Sequence, residues 1–152
     1  MRTFAFTLWQ PWASLAILDL KPFEFRGYPL RPSLIGARVV VHAAKRPLKA
    51  AELRGILDRL YAGHADGMKA GPAIDLLESV WRNERELPFS AALGTVELGQ
   101  PMPCTKLFPN DKDVDPGKWA WPMSKVRRWP TPYPISGAQG FWIWNRGIED
   151  GQ

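Results

Sequence analysis

The chain has 152 residues, which is enough for one compact domain. Hydrophobic residues make up 45% of it and eight tryptophans are present, so a disordered chain is excluded. Lysine and arginine number 20 against 15 aspartates and glutamates, a net charge of +5. Residues 1–76 carry this whole excess, with 11 basic and 6 acidic side chains, which fits either a polyanionic partner or ordinary surface charge.

The content of metal-binding and disulfide-forming residues excludes several classes of protein. Only Cys104 is present, so no disulfide forms within the chain, and an intracellular protein is expected. Two histidines and one cysteine cannot supply a four-ligand zinc site, and we expect no metal and no cofactor. No apolar run approaches the roughly 20 residues of a membrane helix, so a membrane partner is not expected.

Apolar periodicity predicts one domain of the α+β class with a mixed or antiparallel sheet. In the strand at 22–26, alternation predicts that Phe23 and Phe25 face the core while Glu24 and Arg26 share the opposite face. One amphipathic helix is predicted at 49–61, and the spacing of Ile74, Leu77, Val80 and Trp81 indicates another one after it. Strands are predicted at 3–8, 22–26, 37–43, 90–98, 119–129 and 140–145, and helices at 12–18 and 49–61.

Three charged residues form the first candidate site. Lys21, Glu24 and Arg26 fall within six residues, at the junction of a helix and a strand. A carboxylate held between two cations keeps their donors ordered, and such a cluster can hold a phosphate or a base edge. A desolvated Lys21 would also suit acid–base catalysis together with Glu24. The alternative is a solvated strand face with a weak ion pair.

Two further sets of residues extend this candidate site. His42, Lys45 and Arg46 follow at the end of the third strand, where the alternative is a strand end with solvated charges and a structural histidine. Aromatic residues beside a cationic groove stack on nucleic-acid bases, and Trp12, Trp119 and Trp121 are the candidates, with core packing as the alternative.

Two other patterns do not meet the requirements of a functional site. The loop from Asp111 to Gly117 begins like a calcium loop, but its glycine comes one place late and Pro122 stands where the bidentate glutamate should be. Cys104 lacks the surroundings of a catalytic thiol and is predicted to be buried and inert.

The surviving motifs together resemble the ASCH domain, the activating signal cointegrator 1 homology domain of the PUA-like superfamily. The resemblance covers nearly the whole chain, residues 1–152, and is most specific in Gln10-Pro-Trp-Ala followed by Lys21-x-x-Glu24-x-Arg26. The other matching segments are Val41-His-Ala-Ala-Lys45, Leu93-Gly-Thr-Val-Glu97, Trp119-Ala-Trp121 and Gly137-Ala-Gln-Gly-Phe-Trp142. The helical stretch at about 48–82 looks like a family-variable insertion.

The resemblance implies a small β-barrel of about five to six mixed or antiparallel strands, flanked by helices. It also implies a cleft that binds RNA or a nucleotide, with DNA as a further candidate. Some ASCH proteins are acetylcytidine amidohydrolases with a threonine nucleophile at the position of Glu24, and others are described as ribonucleases. A glutamate cannot replace that hydroxyl, so binding is the leading expectation; a hydrolase using Lys21 and Glu24, or a protein-interaction module, is the alternative. The expected binding residues are Trp12, Ser14, Lys21, Glu24, Arg26, His42, Lys45, Arg46, Trp119 and Trp121.

Overall fold

The computed structural model describes residues 2–148, and within them the chain forms seven strands and four α-helices. The strands are β1 (Thr3–Leu8), β2 (Phe23–Arg26), β3 (Arg38–Ala43), β4 (Ala91–Leu98), β5 (Met102–Pro103), β6 (Trp119–Pro134) and β7 (Phe141–Trp144). The helices are α1 (Trp12–Ile17), α2 (Ala50–Tyr61), α3 (Ala70–Trp81) and α4 (Cys104–Leu107).

The strands form one mixed sheet, which confirms the predicted α+β class. Its order is β2-β6-β4-β3-β1-β7, and β5 pairs with β6. Strands β1 and β3 are parallel, and the other pairs are antiparallel. The sheet has one strand more than the largest number expected, because β5 contains only two residues and gives no periodic signal.

The sheet is open, unlike the closed barrel that the resemblance implies. Its path ends at β2 on one side and β7 on the other, and no ladder joins these two strands within residues 2–148. A side-chain contact nevertheless joins the edge strand β7 to β6, because the rings of Phe141 and Trp121 stack with their centroids 5.9 Å apart. Strand β6 spans 16 residues and pairs with β2 near its start and with β4 further along, so it links the edge strand β2 to the rest of the sheet.

The predicted helices are confirmed, and α2 and α3 form a pair between β3 and β4. Leu53, Leu57 and Leu60 of α2 pack against α3 and against Leu15 of α1, where the buried leucines supply the apolar area that stabilises the pair. Trp81 was expected to pack within the helix stripe, but at the last position of α3 it is 43% exposed.

The predicted orientation of β2 is wrong. Glu24 is the buried residue of the strand, whereas Phe23 and Phe25 are only half-buried. Burial of a carboxylate is tolerated where cations compensate it, and Lys21 and Arg26 both pair with Glu24. Because alternation only distinguishes the two faces of a strand, it could not show that the charged face points inward.

The short helix α4 was not predicted from the sequence. Cys104 begins the short helix α4, where burial raises the pKa of its thiol, as expected of an inert cysteine.

None of the helices in the described residues has the length and apolar character needed to cross a lipid bilayer.

Candidate functional site

A cleft of about 1050 Å³ lies where the ends of β1, β2 and β3 meet helix α2 and the loop at 136–140. Helix α2 belongs to the 48–82 stretch, so the region interpreted as an insertion supplies one wall of the cleft. In the described part of the chain, five basic side chains line the cleft, together with three acidic ones. The basic residues are Lys21, Arg26, Lys45, Arg59 and Lys118, and the acidic ones are Glu24, Glu52 and Asp66.

Glu24 is a buried residue that lines the cleft, and it binds two cations at once. Its Oε1 accepts a hydrogen bond from Lys21 Nζ at 3.2 Å, and its Oε2 accepts from Arg26 Nε at 2.9 Å and lies 2.7 Å from Arg26 Nη2. The spacing in the sequence produces this geometry, because Glu24 and Arg26 are two residues apart on one strand face. The carboxylate therefore fixes the position of both cations.

Lys21 is enclosed by apolar groups as well as by Glu24. Its ammonium lies 5.3 Å from the ring centre of Trp12 and 5.2 Å from that of Phe25, and it donates to the carbonyl of Phe23 at 2.7 Å. Burial lowers the pKa of Lys21 below its usual value, although Glu24 acts in the opposite direction. The cleft thus contains an ammonium group that gives up its proton more readily than a lysine in water.

His42 belongs to a chain of hydrogen bonds on the side of the cleft formed by β1 and β3. Its Nε2 lies 2.7 Å from the carbonyl oxygen of Ile135, and its Nδ1 lies 3.1 Å from Thr7 Oγ1. Trp142 Nε1 donates to the same Thr7 oxygen at 3.0 Å. Burial lowers the pKa of His42, and the bond to Ile135 acts in the opposite direction.

The rim of the cleft presents an exposed aromatic ring beside cations. Trp9 is 54% exposed, and the guanidinium of Arg46 lies 4.1 Å from its ring centre. Glu52 of α2 holds Arg46 in that position with a hydrogen bond of 2.9 Å. Lys45 and Lys118 also line the cleft, and neither forms a salt bridge with any residue in 2–148.

Most of the residues predicted for the site do come together. Trp12, Lys21, Glu24, Arg26, His42 and Lys45 all line the cleft. Their convergence is a property of the fold, since they are contributed by α1, the α1–β2 connection, β2, β3 and the turn after β3. Their proposed roles in binding stay predictions.

Four predicted residues do not line the cleft. Ser14 is buried and hydrogen-bonded to the Gln10 side chain at 2.8 Å, so it secures α1. Arg46 contacts Trp9 at the rim. Trp119 is half-buried against the core. Trp121 is 2% exposed, so its ring is not available to stack on a base.

Several residues that line the cleft were not predicted from the sequence. Thr7, Arg59 and Lys118 looked like ordinary polar positions of a strand, a helix and a loop, and only the tertiary fold brings them to one place. Trp9 directly precedes the Gln10-Pro-Trp motif, and this adjacency was the signal that could have identified it. The loop residues 137–140 belong to the matching Gly137–Trp142 motif, but the sequence did not identify this segment as a wall of the cleft.

No group of three or more potential metal-ligating side chains lies together within the described residues. No family model matches the chain, and no curated protein matches it either. The likeness to the ASCH domain therefore rests on the motifs themselves and stays a prediction.

Proposed function

We propose that the cleft binds a phosphate-bearing ligand, either single-stranded RNA or a nucleotide. The observation that carries this proposal is the pair of lysines, Lys45 and Lys118, that line the cleft without an acidic partner in the described chain. Lysines in such positions gain counter-charges from phosphate groups. Arg26, oriented by Glu24, supplies a third donor group in the same cleft.

Trp9 is the residue we propose for stacking on a base. It is 54% exposed and lines the same cleft as Lys45. Arg46 lies against its ring at 4.1 Å and is itself held by Glu52, so the indole is supported in a fixed orientation. An exposed and supported aromatic ring next to phosphate-binding cations is the arrangement that binds single-stranded nucleic acid without strict sequence preference.

We further propose that the chain is an ASCH domain with a PUA-like fold whose sheet is open. Support comes from the motif residues Lys21, Glu24 and Arg26, which share one cleft with His42 and Lys45 of a second matching motif. The chemistry implied by the resemblance would then lie where the ends of β1, β2 and β3 meet α2.

The binding proposal is tested by titrating a fluorescein-labelled single-stranded RNA with the protein at low and at higher salt. We expect an increase in anisotropy at low salt and weaker binding at higher salt, because phosphate contacts release counterions. Unlabelled DNA, AMP and inorganic phosphate serve as competitors that separate the ligand classes. Absence of salt-sensitive binding to all of these would overturn the proposal.

A hydrolase in which Lys21 and Glu24 exchange a proton is the second candidate function. The observation that favours it is the enclosed ammonium of Lys21, whose pKa is lowered by burial and which contacts Glu24 at 3.2 Å. Incubation with N4-acetylcytidine and with bulk RNA tests it, and turnover should disappear in Lys21→Ala. Turnover that persists in this variant would exclude the Lys21 mechanism.

A further inference from the structure

Thr7 and His42 occupy partner positions on the parallel strands β1 and β3. His42 Nε2 faces the carbonyl oxygen of Ile135 at 2.7 Å, and because a carbonyl only accepts, Nε2 must carry the ring proton. In the neutral ring Nδ1 is then an acceptor, and the Thr7 hydroxyl donates to it at 3.1 Å. This tautomer follows from the contacts of the ring.

Trp142 fixes the direction of the Thr7 hydroxyl. Its indole Nε1 can only donate, and it does so to Thr7 Oγ1 at 3.0 Å. The oxygen therefore accepts from Trp142 and directs its own proton to His42. A hydroxyl, a base within hydrogen-bond distance and a third group that orients the base are the parts of an activated nucleophile.

The surroundings of the pair favour this chemistry. Thr7 and His42 both line the cleft, and His42 is only 2% exposed, so the base is shielded from bulk water. Burial lowers the pKa of His42, so the ring is neutral at pH 7 and free to accept a proton. A β-carbon at Gly137 would lie 2.6 Å from His42 Cε1 and Nδ1, so the loop backbone closely covers the ring.

The same loop offers unused donors. The backbone N–H groups of Gly137, Ala138 and Gln139 make no hydrogen bond to another residue within 2–148, and all three residues line the cleft. Backbone N–H groups in the same cleft as a nucleophile are suited to hold the oxygen of a carbonyl as negative charge develops on it.

We propose that Thr7 is the nucleophile and His42 the general base of an acyl-transfer activity on carboxylic esters. Thr7 Oγ1 bonds to the carbonyl carbon while its proton passes to His42 Nδ1. The carbon–oxygen bond to the leaving alcohol breaks, and that alcohol takes the proton from Nδ1. Water then attacks the Thr7 ester, giving one proton to Nδ1, which returns it to Thr7 Oγ1, and the carboxylic acid leaves. This activity is independent of phosphate binding at Lys45 and Lys118.

The test uses p-nitrophenyl acetate as the probe, with release of p-nitrophenolate and peptide mass mapping as the readouts. We expect an acetyl group on Thr7, which is lost in Thr7→Val and retained in Thr7→Ser. His42→Gln should lower the rate by about 100-fold or more, the usual contribution of a general base. Thr105→Val, which removes an exposed hydroxyl outside the cleft, is the matched control and should leave the rate unchanged.

A pH profile separates catalysis from a purely structural role of the network. The labelling rate should fall in acid as the pH drops through the His42 pKa, which burial places below its ordinary value of 6.5, because protonated His42 cannot accept the Thr7 proton. Circular dichroism establishes that each variant is folded. If Thr7→Val does not fold, the labelling of Thr7→Ser and the pH profile test the proposal in its place. Acetylation confined to lysines, or a rate unaffected by Thr7→Val or by pH, would overturn the proposal.

Discussion

Glu24 accepts a hydrogen bond from Lys21 at 3.2 Å, in a place where Lys21 is only 6% exposed. Arg26 holds the other oxygen of the same carboxylate, 2.7 Å from its Nη2. A buried charge requires compensation, and here each member of the cluster depends on the others. The three residues therefore serve stability and site geometry together.

Glu24→Gln should destabilise the protein strongly, because it leaves the buried Lys21 ammonium without a counter-charge. Loss of one partner of a buried pair costs about 3 kcal/mol or more, and chemical denaturation measures it as a lower midpoint. Asp58→Asn is the control, because its salt bridge to Arg54 lies on the exposed surface of α2. Equal midpoints for the two variants would contradict this account of Glu24.

Lys21 should make stability rise with pH in the alkaline range. Its pKa in the folded protein is lowered by burial, so between that value and 10.5 the unfolded chain binds a proton that the folded chain does not. Raising the pH through this window increases the free energy of unfolding, and Lys21→Met should remove that increment. Denaturation of both proteins at pH 7 and near pH 10 measures it, and identical pH slopes would refute the prediction.

His42 should make the protein less stable in acid. Its pKa in the folded state is lowered by burial, so the stability present above pH 6.5 is lost as the pH falls through the folded pKa. The groups in contact with the ring, from Thr7, Ile135, Gly137 and Trp142, are uncharged. His42→Gln should flatten the dependence of the unfolding free energy between pH 7 and 5. A slope that His42→Gln leaves unchanged would contradict the prediction.

Gly137→Ala should displace the loop that covers His42. The new β-carbon would meet His42 Nδ1 at 2.6 Å and Trp142 Cζ2 at 3.0 Å, so ring or loop must move. Crowding of this kind costs about 1–3 kcal/mol, which thermal unfolding detects. Gly27→Ala is the control, since its β-carbon would meet no atom within 4 Å. Equal melting temperatures for the two variants would show that the loop does not rest on His42.

Much of the fold could be predicted from local pattern, but the site could be predicted only in part. The strand of Thr3–Leu8 and the helix carrying Leu53, Leu57 and Leu60 follow from periodicity, which depends on neighbours in the chain. The buried face of β2 could not be predicted, because the burial of Glu24 depends on Lys21 and Arg26 compensating its charge inside the fold.

The residues that form the walls of the cleft could not all be predicted, for a related reason. Arg59 and Gly137 lie 78 positions apart, and only the packing of α2 and the path of the chain after β6 bring them to one cavity. Trp121 was expected at a binding surface, yet it is enclosed between Phe141 and Tyr28, where its Nε1 donates to the Tyr28 carbonyl at 3.1 Å. Composition cannot distinguish such a tryptophan from the exposed Trp9.

Trp9→Ala should weaken ligand binding without affecting the fold. Stacking on one base contributes about 1–3 kcal/mol, so we expect roughly a 5-fold to 150-fold increase in the dissociation constant for single-stranded RNA. Trp81→Ala is the matched control, because Trp81 is also exposed but does not line the cleft. Equal effects of the two substitutions would rule out stacking at Trp9.

The most direct test of a phosphate-binding cleft is a comparison of two charge-reversal variants in the RNA anisotropy assay at low salt. Lys45→Glu combined with Lys118→Glu reverses two cleft charges, and Lys106→Glu combined with Lys112→Glu makes the same change at exposed positions outside it. We predict that the cleft variant loses salt-sensitive binding while the control retains most of it. Equal affinity of both variants for the RNA would contradict the central claim.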